Sequence, residues 1–283
     1  MNGAHDICAR LLGLGELMMA SRARLRDSAS EHLGLEAETM KDSPSSVRGI
    51  LAPAPAPNWA LFLDLDGTLL DIAATPSSVV MPPTLVRDLQ GAARALNGAL
   101  AIVSGRALGE IDRLLYPLRL AGGSEHGAVV RLPDGTQDQT GAPVPPGWVQ
   151  AFIELQRAHP GVLIEVKPHN LVAHFRNAPA AETHVRRLAE ELLAREPGAF
   201  ELLEAKMAIE IRPSAATKAR PVYRLMELAP FAGRYPVFVG DDVTDEDGFA
   251  AARAHGGLAL DVATYFGGQP RDVRDWLKRV ADL

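Results

Sequence analysis

The sequence predicts an α/β fold: a core with a parallel sheet, interrupted by a small inserted α/β unit. Three observations carry this. Short apolar runs at Leu61–Leu63, Ala99–Val103 and Tyr235–Val239 each stop at polar or glycine residues. Helical spacing follows the runs, the alternation that builds buried parallel strands with crossover helices. Between the second and third runs, residues 148–212 change rhythm and read α-β-β-α-β-β. That order makes a small sheet with two helices on one face.

Composition sets the bounds. A chain of 283 residues suits one large domain or two modest ones, and 47% apolar with 23% charged content builds a globular core. The net charge of −6, with no basic block, argues against nucleic-acid binding. Cys8 stands alone, which excludes an intrachain disulfide and a cysteine-ligated zinc site and fits a reducing, cytoplasmic setting. No run of 18 apolar residues appears, so no membrane span is expected.

Residues 1–57 stand apart as an N-terminal extension. Leu11, Leu12, Leu14, Leu17, Met18 and Leu25 fit one amphipathic helix face, while Glu16 spoils the pattern of a secretory signal. Ala52–Pro57 alternates Ala and Pro and reads as an extended linker, placing the start of the catalytic domain near Asn58.

The stretch Leu61–Asp71 then delivers Asp64 and Asp66 at a strand tip, with Gly67 and Thr68 next. Strand tips of open α/β sheets are where ligands sit. Residues i and i+2 share a face of a strand, so both acids can aim at one point. Two such carboxylates repel unless a cation, a shared proton or water intervenes. The competing reading is a solvated strand end with acids capping a helix. Thr84–Asn97 has helical spacing and Gly98 stops it; Ala99–Val103 follows and ends in Ser104, Gly105 and Arg106. A hydroxyl and backbone N–H groups at such a tip suit phosphate oxygens. Leu120–Gly127 carries two glycines before Ser124, Glu125 and His126, a tight passage near a ligand and an exit into a second domain. His126 reads equally well as a structural histidine. Gln137–Pro146 reads as a polar loop.

The inserted unit has a helix over Trp148–His159 and strands over Val162–Lys167 and Leu171–Arg176. A helix over Ala181–Arg195 follows, then strands over Phe200–Glu204 and Met207–Arg212. Charges alternate along those strands: Glu165 and Lys167, His174 and Arg176, Lys206 and Glu210. This gives the sheet one polar face, either solvated with cross-strand ion pairs or built to hold a polyhydroxylated ligand. Beyond it, Thr217–Ala229 reads as a helix with Lys218 in its first turn, where a cation opposes the helix dipole unless an anion lies near. After Tyr235–Val239, residues 241–247 hold five acids in seven positions, including Asp241, Asp242 and Asp245. Helix capping accounts for the later acids but not for Asp241 and Asp242; hard oxygen donors of this kind suit Mg²⁺. Leu258–Val262 and Pro270–Ala281 read as a last strand and a closing helix.

Asp-Leu-Asp-Gly-Thr after an apolar strand resembles the first motif of the haloacid dehalogenase superfamily of phosphatases. Ser104 matches the second motif, Lys218 the third and the acidic stretch from Asp241 the fourth. Residues 59–283 further resemble the trehalose-6-phosphate phosphatase family. Gly-Ser-Glu-His-Gly at 123–127, Gly-Asp-Asp-Val-Thr-Asp-Glu-Asp-Gly-Phe at 240–249, and the lid residues Glu165, Lys167, Arg176, Lys206 and Glu210 carry it. The resemblance implies a Rossmann-like haloacid dehalogenase core over 58–125 and 214–283, with a substrate-recognition cap over 126–213. It implies Mg²⁺-dependent hydrolysis of a small sugar phosphate, trehalose 6-phosphate, through an aspartyl-phosphate, by a monomer without nucleic-acid or membrane partners. Asp64 is then the nucleophile, Asp66 the acid and base, and Ser104 and Lys218 contact the phosphoryl group. The metal falls to Asp64, Asp66, Asp241, Asp242 and Asp245. Gly67, Thr68, Gly105, Arg106, Glu125, His126 and the five lid residues contact substrate. Two positions depart from the family pattern: Ala208, polar in some relatives, and Ala219, where Gly is usual. A phosphatase for sucrose phosphate or glucosylglycerol phosphate, and a catalytically silent sugar-phosphate sensor, are the alternatives.

Overall fold

The computed structural model describes residues 51–73, 78–205 and 207–283, all within one compact unit. The helix face expected over residues 11–25 and the cap residue Lys206 lie outside the described residues. Among the described residues, no helix is long and apolar enough to cross a membrane.

The core is a seven-stranded sheet. Its strands are β1 (Trp59–Leu63), β2 (Leu100–Val103), β3 (Ala121–Ser124), β4 (Val129–Arg131), β5 (Gln137–Gln139), β10 (Tyr235–Gly240) and β11 (Leu258–Asp261). Their order is β11-β10-β1-β2-β3-β4-β5. The first five run parallel, while β4 and β5 add on antiparallel. Parallel strands are covered on both faces, so β1 and β2 are apolar and buried throughout. The covering helices are α1 (Leu85–Ala95), α2 (Leu108–Leu114), α5 (Ala219–Met226), α6 (Glu246–Ala254), α7 (Val262–Phe266) and α8 (Pro270–Ala281). Helix α8 buries Val273, Trp276, Leu277 and Val280, one stripe at helical spacing. The Ala-Pro segment lies on this core: Trp276 Nε1 donates to the Pro53 carbonyl at 3.0 Å, and Arg234 donates to that of Pro57 at 2.8 Å.

Residues 137–139, expected within a loop, instead form the edge strand β5. The turn around Gly135, with φ of +86°, folds them back on β4. Their side chains Gln-Asp-Gln carry no apolar alternation, so sheet pairing rather than burial makes the strand. Both β4 and β5 follow residue 126, the expected exit from the core.

The inserted unit is a four-stranded antiparallel sheet, with β6 (Leu163–Val166), β7 (Leu171–His174), β8 (Phe200–Ala205) and β9 (Ala208–Pro213) in the order β6-β7-β9-β8. Helices α3 (Pro146–Ala158) and α4 (Glu182–Leu193) cover one face, closing a second apolar core around Trp148, Phe152, Val185, Phe200 and Ile211. Register places Glu165 beside Val172, Val172 beside Glu210 and His174 beside Ala208. With Ile164, Ala173, Ile209 and Ile211 turned to the helices, the period of two leaves these residues on the opposite face.

Candidate active site

Three strand tips and one helix start converge. Asp64 follows β1 and is buried. Lys218, the residue immediately before α5 rather than one inside its first turn, donates to Asp64 Oδ1 at 2.8 Å and to Asp245 Oδ1 at 2.7 Å. The anion that its position at a helix start demands is therefore supplied twice. Asp245 is fully buried, and its Oδ2 accepts from the backbone N–H groups of Asp241 and Asp242, both at 3.0 Å. Thr68 Oγ1 donates to Asp241 Oδ1 at 2.9 Å. Gly67 has φ of +85°, and a Cβ there would lie 2.0 Å from Asp241 Oδ2. Only glycine lets this turn and the Asp241 carboxylate share the space.

This arrangement is electrostatically tense. Burial pushes the Asp64 carboxyl up to about 8 even against the pull of Lys218. Burial also raises Asp241 to about 6, with Asp245 adding to the rise. For Lys218 burial works against the charge, but the two carboxylates prevail and hold it above the usual lysine range. Asp64, Asp241 and Asp245 each offer one carboxylate oxygen, all within 4.8 Å of one another. An all-oxygen set with more acid than base, raised by burial toward neutrality, fits a hard divalent cation. Asp242 stands aside: its exposed carboxylate caps the turn, accepting from Val243 N at 2.7 Å.

Asp66 faces a different partner. Arg106 Nε and Nη2 hold its two oxygens at 2.6 and 2.7 Å, a bidentate fork. Ser104 Oγ is buried and accepts from the Arg106 N–H at 3.2 Å. Further backbone hydrogen bonds tie this loop to the next: Glu125 N donates to Arg106 O and His126 N to Ser104 O. Glu125 and His126 sit at φ of +49° and +55°, left-handed conformations unusual for such residues. The His126 ring packs on Gly105, where a Cβ would come within 2.5 Å of Nε2.

The cap meets this surface. Lys167 Nζ donates to the Gly105 carbonyl at 3.1 Å and pairs with Glu165 at 3.3 Å. His174 contacts Glu165 Oε2 at 3.1 Å, and this hydrogen bond, opposed by burial and aided by Lys167, lowers the Glu165 carboxyl. Glu210 is buried, 3.3 Å from His126 Nε2. Burial pushes its carboxyl up, but the opposing pull of His126, Lys167 and Asn170 brings it down to about 2. Arg176 lies past the end of β7 and is exposed.

The family model of trehalose-phosphatase matches residues 62–278. The chain belongs to the trehalose-phosphatase family. Among relatives, a probable trehalose-phosphate phosphatase of Sinorhizobium fredii is 40% identical over 72% of this chain and 77% of its own. The trehalose-6-phosphate phosphatase of Escherichia coli is 34% identical over 81% and 88%. The crystal structure of a trehalose-6-phosphate phosphatase related protein superposes with a TM-score of 0.63 at 23% identity, over 78% of this chain and 96% of its own. The C-terminal domain of the Candida albicans trehalose-6-phosphate phosphatase gives 0.61 at 22%, over 79% and 92%. These two likenesses speak for the fold, a mostly parallel α/β core shared with haloacid dehalogenase-like hydrolases.

Family membership leaves several residues to the structure alone. In the sequence, His169 and Asn170, in the hairpin tip between β6 and β7, present only a turn. Their backbone and side chains bond Glu125 and Glu210. Polar residues in a tip flanked by charged strands were the one signal available.

Proposed function

We propose that the chain hydrolyses trehalose 6-phosphate to trehalose and phosphate, with Mg²⁺, through an aspartyl-phosphate on Asp64. The observation that carries this reading is Lys218 held between Asp64 and Asp245 beside Asp241, four residues from distant parts of a family-typical core. A lysine buried against a nucleophile and its bracing acid is poised to meet the equatorial oxygens of a phosphoryl group.

In the first step an Asp64 carboxylate oxygen attacks phosphorus and the bond from phosphorus to the sugar oxygen breaks. Asp66, which must be protonated at the start and so freed from one arm of the Arg106 fork, delivers its proton to that oxygen. In the second step Asp66 takes a proton from water, the water oxygen attacks phosphorus, and the bond to Asp64 breaks to release phosphate. Arg106 fixes the direction of the Asp66 carboxylate. Ser104 and the backbone around Gly67 and Thr68 surround the phosphoryl group. Asp64, Asp241 and Asp245, with the Asp66 backbone carbonyl, would hold Mg²⁺, with Asp242 at the rim, and the ion would offset charge on the phosphoryl oxygens. Glu165, Lys167, Arg176, Lys206 and Glu210 of the cap, with Glu125 and His126 of the core, engage the sugar hydroxyls. Closure of the cap on the core excludes water from the first step.

Phosphate release from trehalose 6-phosphate, sucrose phosphate, glucosylglycerol phosphate and para-nitrophenyl phosphate, with and without EDTA, tests the reading. Mg²⁺-dependent turnover with kcat/KM highest for trehalose 6-phosphate is the expected result. Preference for another sugar phosphate removes the substrate; no release at all removes the enzyme.

A further inference from the structure

Asn170 immediately precedes β7, in the hairpin tip where the cap meets the core. Lys167 N donates to its carbonyl at 2.8 Å across that tip. The side chain is fully buried. Its amide nitrogen donates to Glu210 Oε1. A carboxylate oxygen accepts only from the NH₂ end, so the orientation of the amide is settled. The other end, Oδ1, is buried with no hydrogen-bond partner. Two further buried atoms make no hydrogen bond, His126 Nδ1 and His169 Nδ1, the latter 3.6 Å from Glu125 Oε2; their residues hold the neighbouring acids Glu210 and Glu125. His126 Nε2 lies 3.3 Å from Glu210 Oε2, and His169 N donates to Glu125 Oε2 at 2.8 Å. Of the six unpartnered buried side-chain polar atoms among the described residues, three fall in this one cluster. Folded proteins hold few such atoms, and each calls for an explanation; a partner that arrives with a ligand supplies one here.

We propose that Asn170 is a specificity-determining residue, whose Oδ1 accepts a hydrogen bond from one hydroxyl group of the sugar part of the substrate, beside Glu210. A hydroxyl group both donates and accepts, as a site of amide oxygen, carboxylate and imidazole requires. The inference rests on the reading that a sugar phosphate enters between core and cap. Entry parts the contacts of Lys167 with Gly105 and of His126 with Glu210 that join cap and core.

The test pairs hydroxyl deletion in the substrate with deletion of the amide. Wild type and Asn170→Ala are assayed with trehalose 6-phosphate, its monodeoxy analogues and para-nitrophenyl phosphate. Wild type should lose about 10- to 100-fold in kcat/KM on one monodeoxy analogue. Asn170→Ala should lose as much on the full substrate, at least tenfold more than on the aryl phosphate, and should no longer distinguish that analogue. Asn170→Ser serves with the same readout should the alanine variant fail to fold. An unchanged pattern of discrimination in the variant, or equal losses on sugar and aryl substrates, overturns the inference and leaves the substrate reading standing. Wild type that hydrolyses the aryl phosphate but not trehalose 6-phosphate overturns that reading, and this inference with it.

Discussion

Arg106 holds both carboxylate oxygens of Asp66, Nε to Oδ2 at 2.6 Å and Nη2 to Oδ1 at 2.7 Å. The arginine is buried and the acid partly exposed. A planar fork of this kind sets a direction, which a lysine point charge does not. Arg106→Lys should therefore keep the fold and lower kcat about 10- to 100-fold through misplacement of the proton-transfer group. Loss should appear equally with trehalose 6-phosphate and para-nitrophenyl phosphate. A change in KM for the sugar substrate alone, with kcat intact, would assign Arg106 to sugar binding instead.

Asp64→Asn tests the nucleophile. The amide lacks the charge needed to attack phosphorus, so phosphate release should fall below detection. The fold should survive, because burial already opposes the ionised form of Asp64, raised to about 8. Thermal unfolding and phosphate release, measured on one preparation, decide it. Turnover retained at more than about one part in a thousand is incompatible with the covalent route.

The strand tips were legible because each pairs an apolar run with a polar end, a local signal. Lys218 was legible as a misfit, a cation at a helix start, and its two acids explain the misfit. The grip of Arg106 on Asp66 was not legible, since it joins residues 40 positions apart through the parallel pairing of β1 with β2. Strand β5 escaped for another reason: its Gln-Asp-Gln carries no apolar pattern and is held by pairing and by Arg220, 2.8 Å from Asp138. Asn170 was hidden in a hairpin tip that looks like any turn until the cap is folded onto the core.

Lys218 is buried and compensates two buried acids. Removing one partner of such a cluster leaves uncompensated charge, at a cost of about 3–5 kcal/mol. Lys218→Met, which keeps the volume, should lose stability of that order in urea unfolding with EDTA present, and lose activity. A variant as stable as wild type under those conditions would mean that the acids are neutral there and the ion triad is absent.

Glu210 gives a pH signature. Its folded pKa of about 2 lies below the ordinary 4.5, so ionised Glu210 stabilises the fold above pH 4.5. That contribution fades as pH falls from there through about 2. A depression of this size amounts to about 3 kcal/mol as an upper figure. Glu210→Gln should flatten the fall in stability of wild type between those pH values. Parallel stability curves for the two proteins would show that the pair with His126 contributes nothing in solution.

Metal binding can be read apart from turnover. Without a cation, burial raises Asp64 and Asp241, so the fold bears partly neutralised acids at its centre. A divalent ion binding the folded chain but not the unfolded one stabilises it by RT ln(1 + [L]/Kd), about 2.7 kcal/mol at a hundredfold excess over Kd. Adding Mg²⁺ to EDTA-treated protein should raise the melting temperature by several degrees, and Ca²⁺, which prefers a larger and looser oxygen shell, should serve catalysis less well. Asp241→Asn removes the charge of one donor while keeping its size and should reduce that shift. Gly67→Ala should do the same from the other side, since its methyl group would fall 2.0 Å from Asp241 Oδ2 and force that carboxylate away. Identical Mg²⁺ shifts in wild type, Asp241→Asn and Gly67→Ala would place the ion elsewhere and detach the acidic cluster from it.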